Sequence, residues 1–367
     1  MSVPFLDHIG EIEDPRVPGM VLYPLDEILL SVLVGLLCRG EDFDEIEDIC
    51  SELLDWLRLF APFKQGIAPS QTLRRTLARL NPRRLEEAFA AWSAELAGRV
   101  RGVVAIDGKT VRGSKQDAGG KGALHLVSAY AHEAGLMLAQ RAVDSKSNEI
   151  TAIPELLDML ALKGAIVTID AMGTQKAIAN RIVAGKADYV LALKGNQGTL
   201  EQDAALFFDD PVLAAECPCH EETSVGHGRV EERTVRAADA TWLAERHPEW
   251  KGLASIVVVT TQRTIKKTAK SSNETRFFIS SLPPDPVHLA AAIRAHWSIE
   301  NNLHWSLDVA FREDECRARK DHSARNLASI RRAVLNMLRK DPSKLSIKRK
   351  RLKAFINPEF RAHILAR

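Results

Sequence analysis

No apolar run in the 367 residues approaches the ~20 that a membrane-spanning helix needs, so no bilayer partner is expected. Cysteine is sparse as well. The five residues at 38, 50, 217, 219 and 316 form an odd set without a regular framework, which fits free thiols in a reducing cytosol. The opening MSVPFLDHIGEIEDP lacks the basic region and apolar stretch of a secretory leader, which adds to the expectation of a cytoplasmic protein. Internal repeats and low-complexity tracts are also missing. What remains, 46% hydrophobic and 27% charged, is the composition of a folded globular chain long enough for two or three domains.

The net charge of +2 conceals opposite ends. Residues 1–60 carry 14 acidic and 3 basic side chains, giving −11, whereas residues 312–367 carry 17 basic and 6 acidic, giving +11. The densest basic run is KLSIKRKRLK at 344–353, and Lys348, Arg349, Lys350 and Arg351 within it are candidates for phosphate contacts with a polyanion. The alternative is a solvated, charged tail.

Helical periodicity runs from Leu22 to about Leu96. Inside it, Pro69-Ser70 reads as a cap opening a short helix with Arg74, Arg75 and Arg79, either part of a helix-turn-helix or one member of a plain bundle with solvated arginines. At Arg101 the pattern changes to strands: 103–107, 124–131 and 136–143, the last two joined through His132-Glu133-Ala134-Gly135. A helix over 149–161 follows, with Ser147 and Asn148 as capping candidates, then a strand at 165–170, a helix at 175–183, a strand at 188–193 and another helix. The order β-β-β-α-β-α-β-α predicts an α/β fold with an RNase H-like mixed sheet covered by helices on both faces. The expected division is a helical DNA-binding or association domain at 1–98, a catalytic domain at 99–210 and 283–340, a β-rich insertion at 211–282, and a basic C-terminal tail at 341–367.

Asp107 and Asp170 each stand where a strand of small or apolar residues gives out, and carboxyl ends of adjacent strands are where a crevice opens in such a sheet. Either alone could merely start a turn. A third carboxylate is expected from the helical segment after Pro283-Pro284. There His296, Glu300, His304 and Asp308 recur every four residues and share a face of an unbroken helix, with Glu300 the leading candidate and Asp308 its competitor. Carboxylates without thiolates suit hard cations, so Mg²⁺ is expected, with Mn²⁺ as substitute. Two such ions would stabilise both the attacking and the leaving oxygen of an in-line phosphoryl displacement. Lys109, Arg112 and Lys194 lie beside the strand ends, where they could hold phosphates or remain solvated surface cations.

Six ordered motifs resemble those of insertion-sequence DDE transposases of the H-repeat-associated type: IDGKTVRGS (106–114), KSNEI (146–150), IDAMGTQKAIA (169–179), DYVLALKGNQ (188–197), HGRVEERTVR (227–236) and HWSIENNLHWSLDVAFREDECRAR (296–319). The region around GIAPSQTLRRTLARLNP is also similar to what precedes the catalytic domain in that family. The resemblance implies Asp107, Asp170 and Glu300 as metal ligands, double-stranded DNA at transposon ends and target as substrate, a homodimer in the synaptic complex, and a bacterial cytoplasmic protein at the nucleoid when bound to DNA. It also implies DNA contacts for His227 and Arg229. A Tyr-x2-Arg-x3-Glu-x6-Lys signature frequent among relatives is not kept, because its places hold Ile293, His296, Glu300 and Leu307. Substitutes for its phosphate-gripping side chains would be His296, Asn301 and His304.

Two other readings compete: a zinc hydrolase using His296, Glu300 and His304, and a domesticated or inactive DNA-binding protein. Cys217-Pro218-Cys219-His220 has no second ligand pair and reads as a loop.

Overall fold

The computed structural model describes residues 3–115, 122–143, 148–226 and 228–367. Nine strands form one mixed sheet: β1 (Gly102–Val111), β2 (Leu124–Ala131), β3 (Leu136–Ala142), β4 (Ala165–Ile169), β5 (Asp188–Leu193), β6 (Cys219–Gly226), β7 (Arg229–Asp239), β8 (Ser255–Ile265) and β9 (Ser271–Ser280), in the spatial order β3-β2-β1-β4-β5-β9-β8-β7-β6.

The antiparallel pairs β1/β2 and β2/β3 arise from short connections, and Gly135, at φ +66°, makes the tight turn between β2 and β3. β1/β4 and β4/β5 are parallel because a helix intervenes each time, Glu149–Asp158 and then Lys176–Ala184. Asn148 occupies the capping position of the first helix but its side chain makes no cap bond; Ser147 lies outside the described residues. Alternate residues of β1 enter different cores. Val104 and Ile106 pack with Ile153 and Leu156 of the helix on one face, whereas Ala105 packs with Ile299, Leu303 and Leu307 on the other.

The expected insertion contributes β6 to β9, which continue the same sheet through the antiparallel β5/β9 pair, Val190 opposite Ser280 to Leu193 opposite Phe277. The N-terminal helices likewise share a core with residues 299–365, through Leu33, Phe89 and Trp92 on one side and Leu327, Val334 and Ile364 on the other. The helix Ser323–Lys340 runs through this core, and its Asn336 amide accepts from the Met137 N–H (3.0 Å) and donates to the Met137 carbonyl (2.8 Å), so it pairs part of the outer edge of β3. Glu86, fully buried, joins the three parts: Arg141 of β3 approaches it to 2.9 Å and Arg325 to 2.6 Å.

Residues 341–367 are no tail. They form the helices Ile347–Ile356 and Pro358–Leu365, whose Ala354, Ile364 and Leu365 are buried. The helix Ser70–Arg79 begins without a side-chain cap of its own, and the Glu47 carboxylate accepts the Ser70 N–H at 2.6 Å instead.

Candidate active site

β1 does not end at Asp107; it runs on beside β2 to Val111. What ends there is the parallel ladder with β4, whose last pair is Ile106 opposite Ile169. Beyond that pair β1 and β4 part, and Asp107 and Asp170 are the first residues on either side of the gap. This is also where the chain order reverses across the sheet, the usual place for a crevice in such folds. Asp170 is held by a turn in which its carboxylate accepts the Gly173 N–H at 3.1 Å.

The third side of the crevice comes from the segment after β9. Its helix is not uniform: α-helix over Pro286–His296, a π turn over Ile299–His304, and α-helix again over Trp305–Phe311. On a regular helix of about 3.6 residues per turn, positions four apart drift by about 40° per step. A π turn, closing over five residues rather than four, is wider and takes up that drift. His296, Glu300, His304 and Asp308 consequently keep facing the sheet although the α-helix is interrupted. His296 bonds Thr168 of β4 through Nδ1 at 3.0 Å, His304 Nδ1 stands 3.7 Å from the Asp107 carboxylate, and Asp308 meets Lys109 of β1 at 2.7 Å.

Asp107, Asp170 and Glu300 line one cleft of about 500 Å³, together with Lys194, Arg276, His296 and Trp297. Burial pushes the Asp107 carboxyl up to about 7; the Gly108 N–H opposes this, and the charges of Glu149, Asp170 and Glu300 add to it. Burial likewise lowers His304 to about 3, helped by Arg332 and Lys109, so its ring is neutral at physiological pH. His296 is also lowered, chiefly by burial.

The donor set fits a divalent metal: oxygen ligands at a cleft, mutually repelling and lacking a counter-charge strong enough to keep Asp107 at its ordinary value. Among the described residues no three His, Cys, Asp or Glu side chains already form a cage around one point. The rings of His296 and His304 serve different neighbours, Thr168 and Asp107, which removes the shared focus a zinc hydrolase would need.

The acidic crowding has a measurable consequence. A carboxyl raised on folding stabilises the fold fully below its unfolded value of about 3.9, and that contribution is lost as pH rises through about 7. Asp107→Asn is therefore expected to stabilise the metal-free protein at pH 8. The shift sets a ceiling of about 4 kcal/mol, and the 27% exposure of the side chain reduces this to about 1–2 kcal/mol. Urea melts at pH 5 and pH 8 check it; equal stability of the two proteins at pH 8 would remove the crowding.

Other expected contacts fare differently. Lys109 is buried between Asp308 and Asp314 (2.7 and 3.2 Å), so it is committed within the protein and the expectation of a phosphate contact is corrected. Arg112 is exposed, 3.5 Å from Asp314, and Lys194 and Asn301 are exposed. Arg229 opens β7 on the exposed hairpin, and His227 lies outside the described residues. Arg74, Arg75 and Arg79 are exposed, Arg74 standing 3.4 Å from Asp44. Lys348 and Arg349 are exposed, but Lys350 and Arg351 are buried, which corrects their assignment to DNA. Lys350 donates to the carbonyls of Leu338 (2.9 Å) and Asp341 (2.7 Å), and Arg351 to those of Leu36, Gly40 and Ala310. Each thus satisfies backbone carbonyls that burial would otherwise leave bare.

The family model described as "Transposase DDE domain" matches residues 98–337, and one described as "DDE_Tnp_1-associated" matches residues 6–93. The chain belongs to the DDE transposase family. Its similarity to "Putative transposase YncI" of Escherichia coli O157:H7 is 40% identity over 98% of this chain and 94% of that protein. To "H repeat-associated putative transposase YhhI" of E. coli strain K12 it is 37% over 98% and 97%. A shorter match, 29% over 20% of this chain, is to "Inactive transposase YbfQ" of the same strain. Membership in the DDE family implies the RNase H-like fold, with which the strand order β3-β2-β1-β4-β5 agrees. Among the described residues no helix is long and apolar enough to cross a membrane.

Sequence reasoning passed over Glu149 and His125, which lie behind the crevice, and Arg276 with Trp297 at its rim, the guanidinium 5.3 Å from the indole centroid. Glu149 stands in the KSNEI motif, so an acidic residue opening the helix between β3 and β4 was the signal that could have found it.

Proposed function

We infer that this transposase cuts and joins DNA at the terminal inverted repeats of an insertion sequence, with Asp107, Asp170 and Glu300 as its metal-binding carboxylates. The observation carrying this is their convergence on one cleft, at the gap between β1 and β4. Two divalent ions bound there would supply an activated water or 3′-hydroxyl and take charge on the leaving 3′ oxygen. Glu300 is favoured over Asp308 because Lys109 already neutralises Asp308, whereas Glu300 is exposed to the cleft. The neutral His304 stands beside Asp107 without adding charge to the site. Lys194 at the cleft wall, and Arg276 above Trp297, are placed to meet phosphates. Paired ends need two active sites, so a dimer on DNA belongs to this reading. Incubating the protein and Mg²⁺ with labelled DNA bearing the element's own ends tests it; intact DNA at every metal concentration would favour a DNA-binding protein without catalysis.

Arg74, Arg75 and Arg79 are the candidates for end recognition, and Lys348 and Arg349 for phosphate contact. Neutralising Lys348 and Arg349 is expected to flatten the plot of log K against log salt by about 0.9 for each B-DNA phosphate that no longer has its cation, without changing preference between DNA sequences. Filter binding from low to moderate salt reads this directly. An unchanged slope would leave both side chains in solvent.

A further inference from the structure

The KSNEI motif supplies one acidic side chain that the three-carboxylate reading leaves idle. Glu149 is the first residue of the helix that packs on β2 and β3, on the sheet face opposite Glu300. It lies so close to the strand that a Cβ at Gly108 would fall 2.1 Å from its Oε1 and 2.5 Å from His125 Nε2. No side chain larger than hydrogen could stand at 108 without displacing both groups. The position follows Asp107 directly, beyond the last β1/β4 pair, where β1 has only β2 beside it.

Glu149 is also held in place. His125 Nε2 lies 2.7 Å from its Oε1, and His125 Nδ1 is 2.8 Å from the Thr110 hydroxyl. A carboxylate fixed by an imidazole, itself fixed by a second group, is the arrangement that orients metal ligands. The side chain is mostly buried, 13% exposed, with its carboxylate held against the His125 ring.

We propose that Glu149 is a fourth carboxylate of the acidic centre, reaching the divalent cations from behind β1 through the space left by Gly108, with His125 as its positioning residue. The proposal rests on the metal-dependent reading above and adds an occupant to the same site. Asp107 then lies between a carboxylate from each face of the sheet: Glu300 on the side of the π turn and Glu149 on the other. Phosphate oxygens of DNA approach from the open cleft, and Glu149 never meets them.

The test is Mn²⁺ titration of the full chain by calorimetry, without DNA, for the wild type and for Asp170→Asn, Glu149→Gln, His125→Gln and His125→Phe. Glu149→Gln is expected to weaken Mn²⁺ binding at least about tenfold or remove one bound ion, and His125→Phe to weaken it about 10-fold or more. His125→Gln, which keeps a donor toward Glu149, should recover most of that loss, a recovery that a purely packing role for the ring would not produce. Should Glu149→Gln fail to fold, Glu149→Asp keeps the charge and withdraws it by one methylene, and the same weakening is expected. Wild-type binding in the Glu149 variants alongside loss in Asp170→Asn would overturn the proposal while leaving the three-carboxylate site intact. No Mn²⁺ binding by the wild type at millimolar concentration would remove both.

Discussion

Asp107→Asn, Asp170→Asn and Glu300→Gln are each expected to lower cleavage at the element's ends by about 10³-fold or more, while binding of those ends changes by no more than about threefold. Each substitution removes one negative charge and leaves the shape of the side chain. A carboxamide presents a single neutral oxygen to a hard cation, so the loss falls on charge compensation in the transition state and little on DNA binding, which the proposed reading gives to cationic side chains. Asp308→Asn provides the comparison. It frees Lys109 from one partner, but Asp314 remains 3.2 Å away, so a loss of about tenfold is expected. Single-turnover cleavage with gel-shift controls measures all four. If Asp308→Asn is inactive and Glu300→Gln cleaves normally, the third carboxylate has been assigned to the wrong turn of this helix.

The strands that carry the two aspartates were legible in the sequence because each is a short run of β-branched and small residues between clear breaks. Expected strands at 124–131 and 188–193 coincide with those observed, and the turn at Gly135 is where its backbone demanded one. Register between strands is another matter. Nothing local to Asp107 says that β1 continues four residues further on one side while its partner on the other side stops, yet that asymmetry is what opens the crevice. The same limit explains the extension by β6 to β9. Their alternation marks them as strands, but that Val190 pairs with Ser280 depends on contacts about 90 residues apart.

The period-four ladder of His296, Glu300, His304 and Asp308 was readable, but the π turn that keeps it on one face was not, because a π turn has no composition of its own. The basic C-terminal run misled for a different reason. Lys350 and Arg351 differ from Lys348 and Arg349 only in the side of the helix they occupy, and one side packs on carbonyls left bare by the residues after Val34 and by the end of Ser323–Lys340. Charge density alone cannot distinguish a guanidinium that grips phosphate from one that caps a helix. Glu149 escaped notice because its partners, His125 on β2 and Gly108 on β1, come together only when the sheet has formed.

The largest stability effect is expected from the pair Glu313 and Arg332. Both side chains are wholly inaccessible, joined by hydrogen bonds of 2.6 and 3.3 Å between the guanidinium and the two carboxylate oxygens. Burial by itself would raise the Glu313 carboxyl, but the charges of Arg332 and Arg331 outweigh it and hold the group below its ordinary range. Arg332→Met leaves that carboxylate buried without its hydrogen-bonded partner, with only the charges of Arg331 and Lys109 acting on it, and Glu313→Gln leaves the guanidinium without its bonded carboxylate; each should cost about 3–5 kcal/mol, against a whole-protein stability of about 5–15. A double variant, Glu313→Leu with Arg332→Met, removes both charges and should recover more than half of the loss. A carboxyl depressed on folding contributes stability above its unfolded value of about 4.3 and loses it as pH falls below that, so the penalty of Glu313→Gln should shrink on acidification. Urea melts from pH 3 to pH 7 read both effects. Glu313 also follows the left-handed residue Arg312 and precedes Asp314, which grips Lys109, so the pair anchors the end of the helix that carries Glu300. Its loosening should lower cleavage at temperatures well below the melting point, and single variants that cost less than about 1 kcal/mol would mean that the pair holds neither the fold nor the site.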